Sequence, residues 1–216
     1  MEPLHPIEVR VLGALLEKDL TTPEYYPLTV NALLNACNQK SSREPVVNYD
    51  EGTVEQALDL LRNRGLVMKV SGAGHRVEKY AHRIGETYNF GRRELALLCV
   101  LMLRGAQTVG ELRGRTERMH DFADMEEVER VLETLAGHEP PFVTKMPRGR
   151  WAHLLGGTPD ATEPASVAPS VQTAPSIQTA SSIQTASAAL EHRVEALEHE
   201  VAELKQKLES LIRQFQ

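Results

Sequence analysis

Apolar residues recur along the chain at helical spacing, in two rounds that share one plan. In the first, Val30, Leu33, Leu34 and Cys37 fall at i, i+3, i+4 and i+7, as do Val54, Ala57, Leu58 and Leu61. In the second, Leu95, Leu98, Cys99 and Met102 repeat the spacing, followed by Val128, Val131, Leu132 and Leu135. Each set lines one face of a helix. Thr108 and Glu111 form a capping-box pair at the start of a helix, and Thr29-Val30 aligns with Thr108-Val109. After the last helix of the first round, Gly65 suits a turn that needs left-handed backbone.

The pattern then changes from helical to β. Residues 66–70 read as a strand, 71–76 as a Gly-bearing basic turn, and 77–84 as the returning strand. The second round ends likewise, with strands over 142–146 and 151–155 around Pro147-Arg148-Gly149-Arg150. Three helices followed by a hairpin is the winged-helix order. The expected fold is mainly α with small β-hairpins (α+β). Two tandem winged-helix domains cover residues 1–88 and 89–155. One stretch breaks the packing logic: residues 38–49 form a long polar loop where a tight helix–turn–helix has about three or four residues. Long ordered loops often carry function.

The last quarter of the chain differs. Residues 156–188 have no aromatic residue, only Asp160 and Glu163 as charges, and three near-identical hexads beginning at Pro169, Pro175 and Ser181. Such a composition predicts a disordered linker. Beyond it, over residues 189–216, Leu190, Val194, Leu197, Val201, Leu204, Leu208 and Leu211 alternate spacings of four and three, the seam of a coiled-coil helix. Val at a and Leu at d favour two parallel strands, and Arg193 facing Glu198 and Glu200 facing Lys205 attract across the seam. A parallel homodimer is expected.

The residues 8–18 (EVRVLGALLEK), Thr21-Thr22-Pro23, Tyr26-Pro27-Leu28, Asn31, 36–40 (ACNQK), Arg43, Pro45-Val46, 75–80 (HRVEKY) and 110–113 (GELR) closely resemble the YceH-like family of bacterial proteins. The resemblance covers about residues 4–155. It implies a tandem winged-helix fold in a family without an established biochemical role, and so brings no catalytic residues with it.

Charge bears on what such a fold can bind. The whole 216-residue chain has a formal net charge of −6, unlike a tight non-specific nucleic-acid binder. In a winged helix the third helix usually enters the major groove, where carboxylates oppose the phosphates. Here the third helices present Glu51, Glu55 and Asp59, and Glu126, Glu129 and Glu133. Basic candidates for nucleic-acid contact lie elsewhere: Lys40 and Arg43 in the long loop, Arg76 and Lys79 at the first hairpin, Arg113, Arg115 and Arg118 on the second middle helix, and Arg148 and Arg150 at the second hairpin. Two readings follow: a DNA-associated regulator touching DNA through its wings, or a protein–protein adaptor whose acidic helices meet a basic partner.

No catalytic constellation emerges. The eight histidines are dispersed, Ser41-Ser42 lacks the setting of a nucleophile, and Gly72-Ala73-Gly74 reads as a turn rather than a phosphate cradle. No enzyme activity, metal or cofactor is expected. Cys37 and Cys99 fall on apolar helix faces, as reduced core thiols of a cytoplasmic protein do. There is neither a run of about 18 apolar residues nor a secretory leader, so no membrane contact is expected.

Overall fold

The computed structural model describes residues 2–70 and 77–158. Seven α-helices and five short strands are arranged in two like halves. The first half contains α1 (Pro6–Thr21), α2 (Val30–Cys37), α3 (Glu51–Asn63), β1 (Val67–Val70) and β2 (Lys79–His82). A short helix, α4 (Ile84–Tyr88), leads to the second half. There α5 (Arg92–Arg104), β3 (Gln107–Thr108), α6 (Val109–Thr116), α7 (Met125–Ala136), β4 (Val143–Met146) and β5 (Arg150–His153) follow.

The likeness extends to the helix caps. Thr29 and Thr108 cap the middle helices by accepting the amides of Ala32 and Glu111. Asp50 and Asp124 cap the third helices, accepting from Thr53 and Glu127. Each cap satisfies one of the amides that a first helical turn leaves unpaired. At the end of α3 the Gly65 amide donates to Arg62 and the Leu66 amide to Leu61, with Gly65 at φ 71°. This is a Schellman ending, which turns the chain into β1.

Both hairpins are antiparallel, pairing Val70 with Lys79 and Met146 with Arg150. The expected strand 77–84 is shorter than its composition suggests. The Arg83 amide donates to Leu66, the next position in the same register, and Ile84 then opens α4, where it is fully buried. A contact missed by sequence pattern widens each hairpin: β3 pairs with β5, and Leu28 bridges Tyr80 in the corresponding place.

The two halves share one continuous apolar core, centred on α1 and α5. Residues 9–16 of α1 are buried on every side, as in a helix surrounded by other elements. Gly13 allows the close approach: a Cβ there would lie 3.0 Å from Leu103 Cδ2 and 3.2 Å from Met102 Cβ of α5. The Cys99 thiol reaches the Gly13 carbonyl at 3.5 Å. Arg92 donates to the carbonyls of Leu20 and Met119, and the Leu4 amide to that of Leu155. The segment before α1, the segment after β5 and the helix ends are therefore stitched across the halves.

Candidate functional site

The long loop is an ordered structural element. Asn38 closes it by exchanging two hydrogen bonds with the Tyr49 backbone, at 2.9 and 2.8 Å. Two buried arginines then fasten it to α1. Arg10 donates to the carbonyls of Cys37 (3.2 Å) and Pro45 (2.5 Å). Arg43 donates to both Glu17 carboxylate oxygens (3.0 and 2.5 Å), to the Ala36 carbonyl and to Gln39. Burial, and then the neighbouring Arg43 cation, pull the Arg10 guanidinium below its ordinary value. Polar residues that look available in the sequence are thus spent inside the fold.

This corrects one of the basic candidates directly. The Arg43 side chain is 0% exposed, so it cannot meet a phosphate. Arg113 is exposed, but its guanidinium holds the carbonyls of Phe122 and Ala123 ahead of α7. Arg118 lies in the turn beyond α6, which ends at Thr116, rather than on that helix. Arg115 sits half-buried, 3.5 Å from Glu111. Burial favours a higher value for the Glu111 carboxyl, yet hydrogen bonds from Thr108 and the Arg115 charge bring it below the ordinary range. Arg150 is half-buried and donates to the Ala106 carbonyl at 3.2 Å. Lys40 and Arg148 are exposed, Lys79 is half-buried, and Arg76 lies outside the described residues.

The acidic set has a different fate. Glu51, Glu55 and Asp59 are all exposed along one face of α3, and Glu126, Glu129 and Glu133 along one face of α7. Only Asp59 of the six has an ion-pair partner among the described residues, Arg62 at 2.8 Å. Leu60 and Met125, 47% and 57% exposed, add apolar surface to the two helices.

Neither cysteine has the surroundings of a reactive thiol. Burial pushes Cys37 up to about 12, against the pull of Arg43 and Arg10, and raises Cys99 as well. Among the described residues, no three His, Cys, Asp or Glu side chains converge to hold a metal. None of the described helices is long and apolar enough to cross a membrane. The seam residues Leu190 to Leu211 lie outside the described residues.

Sequence reasoning missed the convergence of Lys18, Arg104, Arg115 and Arg118 where the halves meet. Lys18 figures in the sequence only within the family-like stretch 8–18 and Arg104 only as the residue beyond an apolar stripe, and their spacing of 86 residues offers no local signal.

The geometry therefore defines a two-halved α+β protein whose candidate interfaces are helix faces, turns and one cleft. Comparison identifies it further. The family model described as "Protein of unknown function, DUF480" matches residues 4–151. A UPF0502 protein of Solibacter usitatus is 52% identical over 219 residues, covering 99% of this chain and 98% of that one. The UPF0502 protein YceH of Salmonella paratyphi B and a UPF0502 protein of Cronobacter sakazakii are each 48% identical over 217 residues, covering 95% of this chain and 94% of theirs. The chain belongs to this uncharacterised bacterial family.

Proposed function

We propose that the chain is a cytoplasmic, non-enzymatic binding module of two winged-helix units, and that it acts as an adaptor whose α3 and α7 faces meet a basic protein partner. The extra pairings, β3 with β5 and Leu28 with Tyr80, support the winged-helix reading, because a wing sheet takes its first strand from the segment before the middle helix. The observation that carries the adaptor reading is the contrast in availability. All six acidic candidates are exposed, while Arg43 is buried and Arg113 and Arg150 are engaged with backbone carbonyls. A recognition helix with those carboxylates would repel the phosphates it had to approach.

Affinity capture with full-length chain tests it, comparing wild type with Glu51→Gln/Glu55→Gln and with Glu126→Gln/Glu129→Gln. A basic protein retained by wild type and lost from a variant supports the adaptor. Identical capture by all three refutes it.

DNA contact through the second hairpin is the other reading, and Arg148 favours it. It stands exposed at the tip of the β4–β5 turn, and a minor groove needs only one or two such arginines. In a salt titration on random duplex DNA, a steep slope that Arg148→Ala flattens would support this reading; absence of binding at low salt would remove it. For the tail we retain the parallel coiled-coil dimer. In analytical ultracentrifugation the full chain should sediment at twice its own 24.0 kDa, and a chain truncated after Gly157 at the mass of one chain; a full chain sedimenting at 24.0 kDa would exclude the dimer.

A further inference from the structure

A cleft of about 180 Å³ lies where the C-terminal turn of α1, the long loop, α5 and the turn after α6 meet. Its rim is cationic. Lys18 from α1, Arg104 from α5, and Arg115 with Arg118 from the end of α6 and its following turn converge on it, and Glu17 is the one carboxylate lining it. That carboxylate is already neutralised from behind, with both oxygens accepting from the fully buried Arg43. One carboxylate shared between Arg43 and Lys18 cannot balance four rim cations.

The four cations are unequally occupied. Lys18 is 3.8 Å from the same Glu17, and Arg115 is 3.5 Å from Glu111. Arg104 is held in place by a 2.7 Å hydrogen bond to Ser42 Oγ, which uses only one of its five N–H groups. Arg118 has no hydrogen-bond or ion-pair partner among the described residues. Burial and then the Arg115 charge lower the Arg104 guanidinium from its ordinary value, so like charges do crowd one another here.

The uncharged groups point to the same ligand chemistry. Gln39 accepts from Arg43 through Oε1, which leaves its amide nitrogen as a donor. The Ser42 hydroxyl, having accepted from Arg104, can donate its own proton. Val100, Leu103 and Met119 add apolar surface to the lining, and apolar surroundings strengthen charge interactions beside them. Donors and cations outnumber acceptors around a concavity, which is the arrangement that recognises a multiply charged oxyanion. Guanidinium groups match phosphate in geometry as well as in charge.

We propose that this cleft binds a small free oligophosphate, of pyrophosphate size, held by Lys18, Arg104, Arg115 and Arg118. The site draws on both halves of the molecule, and it stands whether the exposed faces meet protein or DNA. Bound ligand would tie α1 and its loop to α5 and the turn after α6, adding stability by mass action.

Isothermal titration of the full chain with sodium pyrophosphate, at constant ionic strength, tests the assignment. The expected result is saturable binding, tighter than that of inorganic phosphate, with a rise in Tm on addition. Arg118→Gln should weaken it about tenfold, the loss expected for one charge-assisted hydrogen bond. Arg118 is exposed and unpartnered, so this variant keeps the fold; its own melting curve checks that. Arg83→Gln, which removes an equal charge remote from the cleft in sequence, should bind as wild type. No saturable pyrophosphate binding would overturn the proposal, as would equal binding by Arg118→Gln and wild type. Displacement of pyrophosphate by a short random duplex, with the same dependence on Arg118, would reassign the site to nucleic-acid phosphate and also overturn it.

Discussion

Gly65 and His153 locate two costs that a contact count would miss. At Gly65 the backbone has φ 71°, and no atom lies within 4 Å of where a Cβ would stand. The cost of Gly65→Ala is then conformational alone, about 1 kcal/mol. A urea titration should show a lower midpoint with unchanged slope. His153 closes β5, and its Nδ1 is enclosed with no hydrogen-bond partner among the described residues. Burial pushes it down from 6.5 to about 4. The folded state therefore holds this ring neutral where the unfolded chain would protonate it. Its contribution to stability is complete above about pH 6.5 and is lost progressively toward pH 4. Melting curves of His153→Gln across that range should fall less steeply than those of wild type.

At the scale of elements, the Arg43–Glu17 pair governs whether the long loop stays on α1. Removing one partner of a buried ion pair leaves an uncompensated charge, so Arg43→Met should cost about 3 kcal/mol. The double variant with Glu17→Met should recover much of that loss, because it removes both charges together. Chemical denaturation of the three variants measures the difference. The helices themselves were readable from apolar spacing, and the turn at Gly65 from its residue type. The fate of Arg43 was not, since a buried arginine and a solvated one occupy a polar loop in the same way. The acidic faces were legible because their carboxylates stay exposed, with only Asp59 among the described residues paired, to Arg62 of its own helix. The cleft was not, because its cations come from segments far apart in the chain. The start of α4 was likewise hidden: Ile84 is apolar and suits a strand end as well as the buried first turn of a helix.

For the whole molecule the decisive contact is α1 on α5. Two tandem units joined by a polar interface would unfold separately, each at its own temperature. Here residues 9–16 are buried from all sides, and α5 supplies part of that cover through Met102, Cys99 and Leu103. The Glu44 amide donates to the Leu103 carbonyl, so even the long loop depends on the second half. Neither half can open without exposing apolar surface of the other. We therefore expect one cooperative transition for residues 1–158, with calorimetric and van't Hoff enthalpies in agreement. Gly13→Val should wedge α1 from α5 and cost about 1–3 kcal/mol of stability, as overpacking usually does, with a correspondingly lower Tm. If the halves are energetically separate, the same substitution would instead split the calorimetric peak in two. A single peak moved to lower temperature would mean that α1 and α5 act as one core. Ligand bound at the cleft would then reach both halves through it.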